Sequence, residues 1–194
     1  NRWLQKSGDA PAIIDQENIQ KSIDRLNRYY ASFGWFNVNT DFSINKTDNK
    51  RASITYKVNR HTPYIVDSIQ EKISSPIVDS LFQRTKHQSF IKNGKQYSAN
   101  DFVNERDRIT HQLRNSGLYY FDQDYVGFEA DTVNTGHKAN ITYIIPDREY
   151  RINDSTYTEP FKIHRINEVR IITDYSYENK DRAISDSATY KNYK

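Results

Sequence analysis

The chain contains no cysteine and no methionine, and only six glycines and five prolines in 194 residues. Without cysteine there is no disulfide, no thiolate metal site and no thiol nucleophile. That absence leaves the compartment open, since a cysteine-free domain suits either redox environment. No run of about 18 apolar residues occurs, which excludes a membrane-crossing helix. Asn1-Arg2-Trp3-Leu4 opens no apolar stretch of the signal-peptide kind either. With no initiator methionine, the sequence is expected to be a mature or trimmed piece. A surplus of one charge is also missing: 28 Lys and Arg stand against 25 Asp and Glu, a net charge of +3. A nucleic-acid binder gathers its basic residues on one face or in one run. Here the densest run, Lys46 to Arg51, is broken by Asp48 and reads as a solvated hairpin tip. Nucleic acid is not an expected partner.

Catalytic and ligand-holding patterns are missing as well. The histidines stand at 61, 87, 111, 137 and 164, none in a ligand motif with another His or a carboxylate, so they read as structural or solvated. Asp79-Ser80 and Asp186-Ser187 have no partner His in a hydrolase context. Gly8, Gly94 and Gly127 belong to no phosphate-cradling loop. No metal, cofactor or catalytic residue is expected.

What the chain does have is aromatic residues, 15 Tyr and nine Phe, and a repeat. Aromatics suit half-buried sheet surfaces and partner-binding faces alike. Gly34 and Gly117 anchor two copies. Ile19, Leu26 and Tyr30 precede the first at the offsets at which Phe102, Ile109 and Leu113 precede the second. That spacing is helical, so each glycine closes an amphipathic helix. Asp15 and Ser98 fall at matching N-cap positions. Ile14 with Ile19, and Tyr97 with Phe102, are spaced as hydrophobic staples. Each glycine is expected to be a left-handed helix stop.

An extended segment follows each glycine. In the first copy Val38, Thr40, Phe42 and Ile44 alternate with polar residues and point one way. In the second, Leu118-Tyr119-Tyr120-Phe121 opens it. Turns over Asn45 to Lys50 and Asp131 to Gly136 lead into further strands, Ala52, Ile54, Tyr56, Val58 and Ala139, Ile141, Tyr143, Ile145. Two such hairpins behind matching helices make a repeat. Tyr64 to Ile69 and Phe161 to Ile166 share an aromatic, aliphatic, Ile pattern and predict strands that open the next units. Pro76 to Phe82 predicts a short helix with proline in its first turn. One complete unit then reads strand, helix, helix, strand, strand.

The fold class is α+β, and we divide the chain at 1–62, 63–148 and 149–194. The first unit starts near Trp3-Leu4 without its opening strand and most of its first helix. The third is only begun, with Tyr150 to Pro160 inserted ahead of it and a polar, irregular tail from Tyr175 to Lys194.

This order, at roughly 80 residues per unit, resembles the POTRA domain. Tyr30-Ala31-Ser32-Phe33-Gly34-Trp35-Phe36 looks like the family's helix-end motif. Tandem copies resemble the periplasmic part of the BamA and TamA superfamily. Trp3-Leu4 with Asp15 and a tyrosine-rich interior look most like the TamA-like lipoproteins of Bacteroidota. The resemblance implies small mixed three-stranded sheets, each packed by two helices. It implies a place in the periplasm, attached to the outer membrane through a C-terminal β-barrel of the same polypeptide. Implied partners are unfolded outer-membrane proteins or other subunits of the assembly machinery, held by β-augmentation. In that topology the second strand lies at the edge, so the expected edges are Asn37–Ile44 and Phe121–Glu129, and the candidate binding residues Val38, Thr40, Phe42, Ile44, Tyr119, Tyr120, Phe121 and Tyr125. Tyr30, Phe33, Trp35, Phe36, Tyr56 and Tyr143 read instead as core and hinge packing. Two alternatives stay open: a POTRA scaffold of two-partner secretion or cell division, and a surface-exposed carbohydrate-binding or adhesin module.

Overall fold

A computed structural model describes residues 14–47, 51–169 and 177. The Trp3-Leu4 start, the hairpin tip at 48–50 and the tail from 175 on, Tyr177 apart, lie outside the described residues. Helix α1 (Gln16–Ala31) starts where the Asp15 carboxylate accepts from the Glu17 amide, satisfying a free first-turn donor. It stops at Gly34, whose φ of 87° is open only to a residue without Cβ strain. Strands β1 (Asn39–Thr47) and β2 (Arg51–Asn59) follow as an antiparallel hairpin pairing Phe42 with Tyr56 and Ile44 with Ile54.

The second unit is complete. It runs β3 (Ile65–Ile73), α2 (Pro76–Thr85), α3 (Ala99–Asn115), β4 (Gly127–Asp131) and β5 (Lys138–Ile145), the order read from the repeat. The sheet is mixed, ordered β3-β5-β4, with β5 parallel to β3 and antiparallel to β4. Every second residue of β5, Ala139, Ile141, Tyr143 and Ile145, is buried. They meet Val78, Leu81 and Phe82 of α2 and Ile109 and Leu113 of α3 in one core. Two helices on one sheet face bury both apolar stripes at once. Tyr97 packs on Phe102 at 5.0 Å, so the staple forms, although Ser98 caps α3 by position without a side-chain bond.

Three expectations are corrected, and a fourth gains detail. The run Leu118 to Phe121 is not extended: the Tyr119 amide donates to the Gly117 carbonyl and the Phe121 amide to Leu118. This turn drives both Leu118 and Phe121 into the core, as plugs rather than strand residues. Tyr125 lies in a 3₁₀ turn (Gln123–Tyr125) that the Asp122 carboxylate caps, so β4 begins only at Gly127. Tyr150 to Pro160 is built as a hairpin, β6 (Arg148–Ile152) with β7 (Ser155–Glu159), turning on left-handed Asn153. Phe161 to Ile166 forms no strand; Phe161 is buried in the second unit's core, its amide donating to Ser75 Oγ.

Candidate protein-binding edges

A strand edge binds chains because its outward N–H and C=O groups have no partner. In the second unit the two edges differ. Along β3 the edge is covered at its start by the segment before α3. The Val66 amide donates to Lys95, the Gly94 amide donates to Val66, and Ile65 bridges Gln96. Along β4 only β5 pairs, and no described strand lies on its other side. That edge spans Gly127–Asp131, shorter than expected, with Phe128 packed on Tyr143 at 5.1 Å. In the first unit both outer sides of the β1–β2 hairpin are free of other described strands.

The eight candidate residues separate on this frame. Thr40, Phe42 and Ile44 share one face of β1, and Val38 stands just ahead of it. Thr40 is buried, its hydroxyl donating to Asn27 Oδ1 at 2.7 Å, which ties β1 to α1. Phe42 and Ile44 are exposed. Tyr119 and Tyr120 are exposed too, at 69% and 46%, but in the turn after α3 rather than along a strand. Phe121 is inaccessible to a partner. The Tyr125 ring packs on Phe161 at 5.0 Å, and its hydroxyl donates to the Glu149 carbonyl at 3.2 Å, fixing the inserted hairpin. The structure thus gathers the first-unit candidates and disperses the second-unit ones.

Sequence reading missed the groove between α1 and the hairpin, lined by Ile14, Ile19, Ala52, Ile54 and Tyr56. Its signal was the repeat itself. Ala139, Ile141 and Tyr143 match Ala52, Ile54 and Tyr56, and α2 and its following loop cover the former. Among the described residues the first unit has no helix in that place, and Ala52 is left exposed.

Electrostatics around these surfaces are modest. Burial raises the phenol pKa of Tyr97, and that of Tyr143 further, keeping both hydroxyls neutral. Lys162 donates to Glu159 at 2.9 Å and holds that carboxyl below its usual range, with Arg148 adding to the effect. Among the described residues no group of His, Asp and Glu could hold a metal ion, and no helix is long and apolar enough to cross a membrane.

Residues 4–60 match the POTRA family model, described as a surface antigen variable number repeat. No curated protein matches the chain. Among solved structures it is similar to BamA POTRA3-5 of Haemophilus influenzae, at 14% identity and a TM-score of 0.39, over 74% of this chain and 53% of that one. A BamA from Haemophilus ducreyi lacking POTRA domains 1-3 is similar over 76% of this chain and 26% of its own, at 14% identity and a TM-score of 0.42. POTRA1-3 of the periplasmic domain of Omp85 from Anabaena is similar over 75% and 55%, at 15% identity and a TM-score of 0.34. The chain thus spans about half or less of the length of these structures.

Proposed function

We propose that this chain is a tandem POTRA array that binds protein segments in the periplasm, as part of a factor that assembles or translocates outer-membrane proteins. The family match over residues 4–60 supports the first unit, and the matching spacing and element order extend the reading to a second. On this reading the units divide near residues 62 and 148, and the chain continues into a β-barrel in the outer membrane. Its partners are unfolded outer-membrane segments or other subunits of the machinery. An origin among TamA-like lipoproteins of Bacteroidota belongs to the same proposal.

The observation that carries the binding mode is the asymmetry of edges. β3 is covered at its start by its own loop, while β4 and both sides of the first hairpin are free of other described strands. Main-chain pairing at an open edge accepts many client sequences, because the side chains contribute only at alternate positions. The function proposed is binding rather than chemistry.

The test is site-specific photo-crosslinking from β1, β3 and β4 to an amphipathic strand peptide of an outer-membrane barrel. Adducts should concentrate at Phe42, Ile44 and Glu129 and be absent from Ile65 and Val66, the covered start of β3. Uniform labelling of all three strands would sink the edge reading. A glycan array giving a specific hit, lost in Tyr120→Ala, would favour the carbohydrate-binding alternative.

A further inference from the structure

Two junctions in the chain repeat one geometry. At the first, the Tyr64 amide donates to the Gly34 carbonyl at 2.8 Å; at the second, the His164 amide donates to Gly117 at 2.7 Å. A Cβ added at Gly34 would stand 3.2 Å from the Tyr64 carbonyl oxygen, and one at Gly117 2.9 Å from that of His164. Phe36 meets the Tyr64 ring at 56°, and Tyr119 meets His164 at 58°. Phe36 and Tyr119 stand at the same distance after their glycines. Three independent relations therefore equate His164 with Tyr64. This register lies three residues beyond the one the aromatic pattern suggested, and it sets Ile166 in the place of buried Val66 and Val169 in that of Ile69.

The two junctions differ in completeness. At the first, Tyr97 closes the far side: it touches Phe36 at 5.0 Å, and the second unit adds bonds from Gln96 to Phe33 and from Ala99 to Ser32. At the second, Ile163 stands beside Gly117 and Tyr120 packs on Tyr119 at 5.0 Å, and no described residue comes from a following helix. Tyr119 is 69% exposed against 38% for Phe36, and Ile166 83% against 3% for Val66. We infer that the face formed by Tyr119 and Ile163 is the docking surface for a third unit of the same kind, whose first strand begins at His164 and takes Ile166 into its own core, as β3 does Val66, and whose second helix lies beside Tyr119. The occupant follows from continuity: the first half of an interface already seen once in this chain is built again, in the same order. The inference rests on the tandem-repeat reading above.

The absence of cysteine makes the test direct. Single variants Tyr119→Cys and Ile166→Cys are labelled with a maleimide in the purified full-length protein, with Val133→Cys as an exposed reference, Val66→Cys as the buried counterpart of Ile166 and Phe36→Cys as the half-covered counterpart of Tyr119. Ile166→Cys should react about tenfold more slowly than Val133→Cys, as a cysteine reached only through local opening does, and Tyr119→Cys should match half-covered Phe36→Cys rather than Val133→Cys. Fast labelling of Ile166→Cys beside slow labelling of Val66→Cys overturns the third-unit surface and leaves the repeat intact. Fast labelling of both overturns the tandem reading itself. Slowing that grows with protein concentration assigns the face to a second copy and also overturns the inference.

Discussion

Tyr143 on β5 and Glu105 on α3 meet inside the second unit, the phenol donating to Oε1 of a carboxylate with no solvent exposure at 3.3 Å. The pair is the centre of a larger network. Ser89 lies 2.9 Å from the same phenol, the Phe90 amide donates to Oε2 at 3.0 Å, and Arg108 donates to both carboxylate oxygens. Arg108 also reaches the Thr85 carbonyl at the end of α2. The network thus pins the link between the two helices to the sheet. The first unit has Tyr56 at the place of Tyr143 but Ser22 at that of Glu105, so it cannot build the same lock.

Removing one partner should therefore cost more than removing both. Glu105→Ala strands Arg108, whose side chain is only 13% exposed, and is expected to destabilise the second unit by about 3–5 kcal/mol. The double variant Glu105→Leu with Arg108→Met should recover a good part of that loss. Urea unfolding of the three proteins measures it, and a double variant as unstable as Glu105→Ala would contradict the stranded-charge account.

Alkaline pH should attack the same core. The Tyr143 phenol, raised by burial, binds its proton more tightly folded than unfolded. Its contribution to stability is complete below the unfolded value near 10 and is lost as pH rises from there toward the folded value. Tyr97, raised by the same cause, acts in the same direction. The urea midpoint should fall above about pH 10, and Tyr143→Phe should make the decline shallower. Equal slopes in the two proteins would exclude Tyr143 as the group responsible.

Glycine substitutions separate backbone strain from junction packing. Gly94→Ala adds a methyl where nothing lies within 4 Å, so only its φ of 80° counts, a cost of about 1 kcal/mol. Gly34→Ala carries comparable strain and brings Cβ to 3.0 Å from Tyr97 Cβ and 3.1 Å from its carbonyl oxygen. It should be clearly the more destabilising, and the excess should shrink in a Tyr97→Gly background. Thermal melts of the unchanged protein and these four variants decide it; equal losses for Gly34→Ala and Gly94→Ala would mean that the junction yields without cost.

The repeat made the unit order, the helix bounds and both glycine stops legible, because periodicity and caps act locally. It failed where one apolar string serves two geometries. Leu118-Tyr119-Tyr120-Phe121 has the composition of a strand, yet Leu118 and Phe121 lie three apart, and a tight turn buries both. The Asp122 cap on the next turn was a signal available in sequence. The register at His164 was hidden because the inserted hairpin changes the spacing from glycine to junction, so only the hydrogen bond to Gly117 reveals it.

The open edges can be tested with neighbouring prolines. In an antiparallel hairpin, consecutive amides of a strand face opposite sides, one toward the partner and one outward. Of Phe42→Pro and Ser43→Pro, one therefore breaks a β1–β2 bond and lowers stability, while the other removes only an outward donor. The same holds for Glu129→Pro and Ala130→Pro on β4. In each pair, the variant that keeps its melting temperature should lose most of the crosslinking to a barrel-strand peptide. Undiminished capture by both fold-sparing variants would show that clients are held elsewhere, with the groove beside Tyr56 the next place to look.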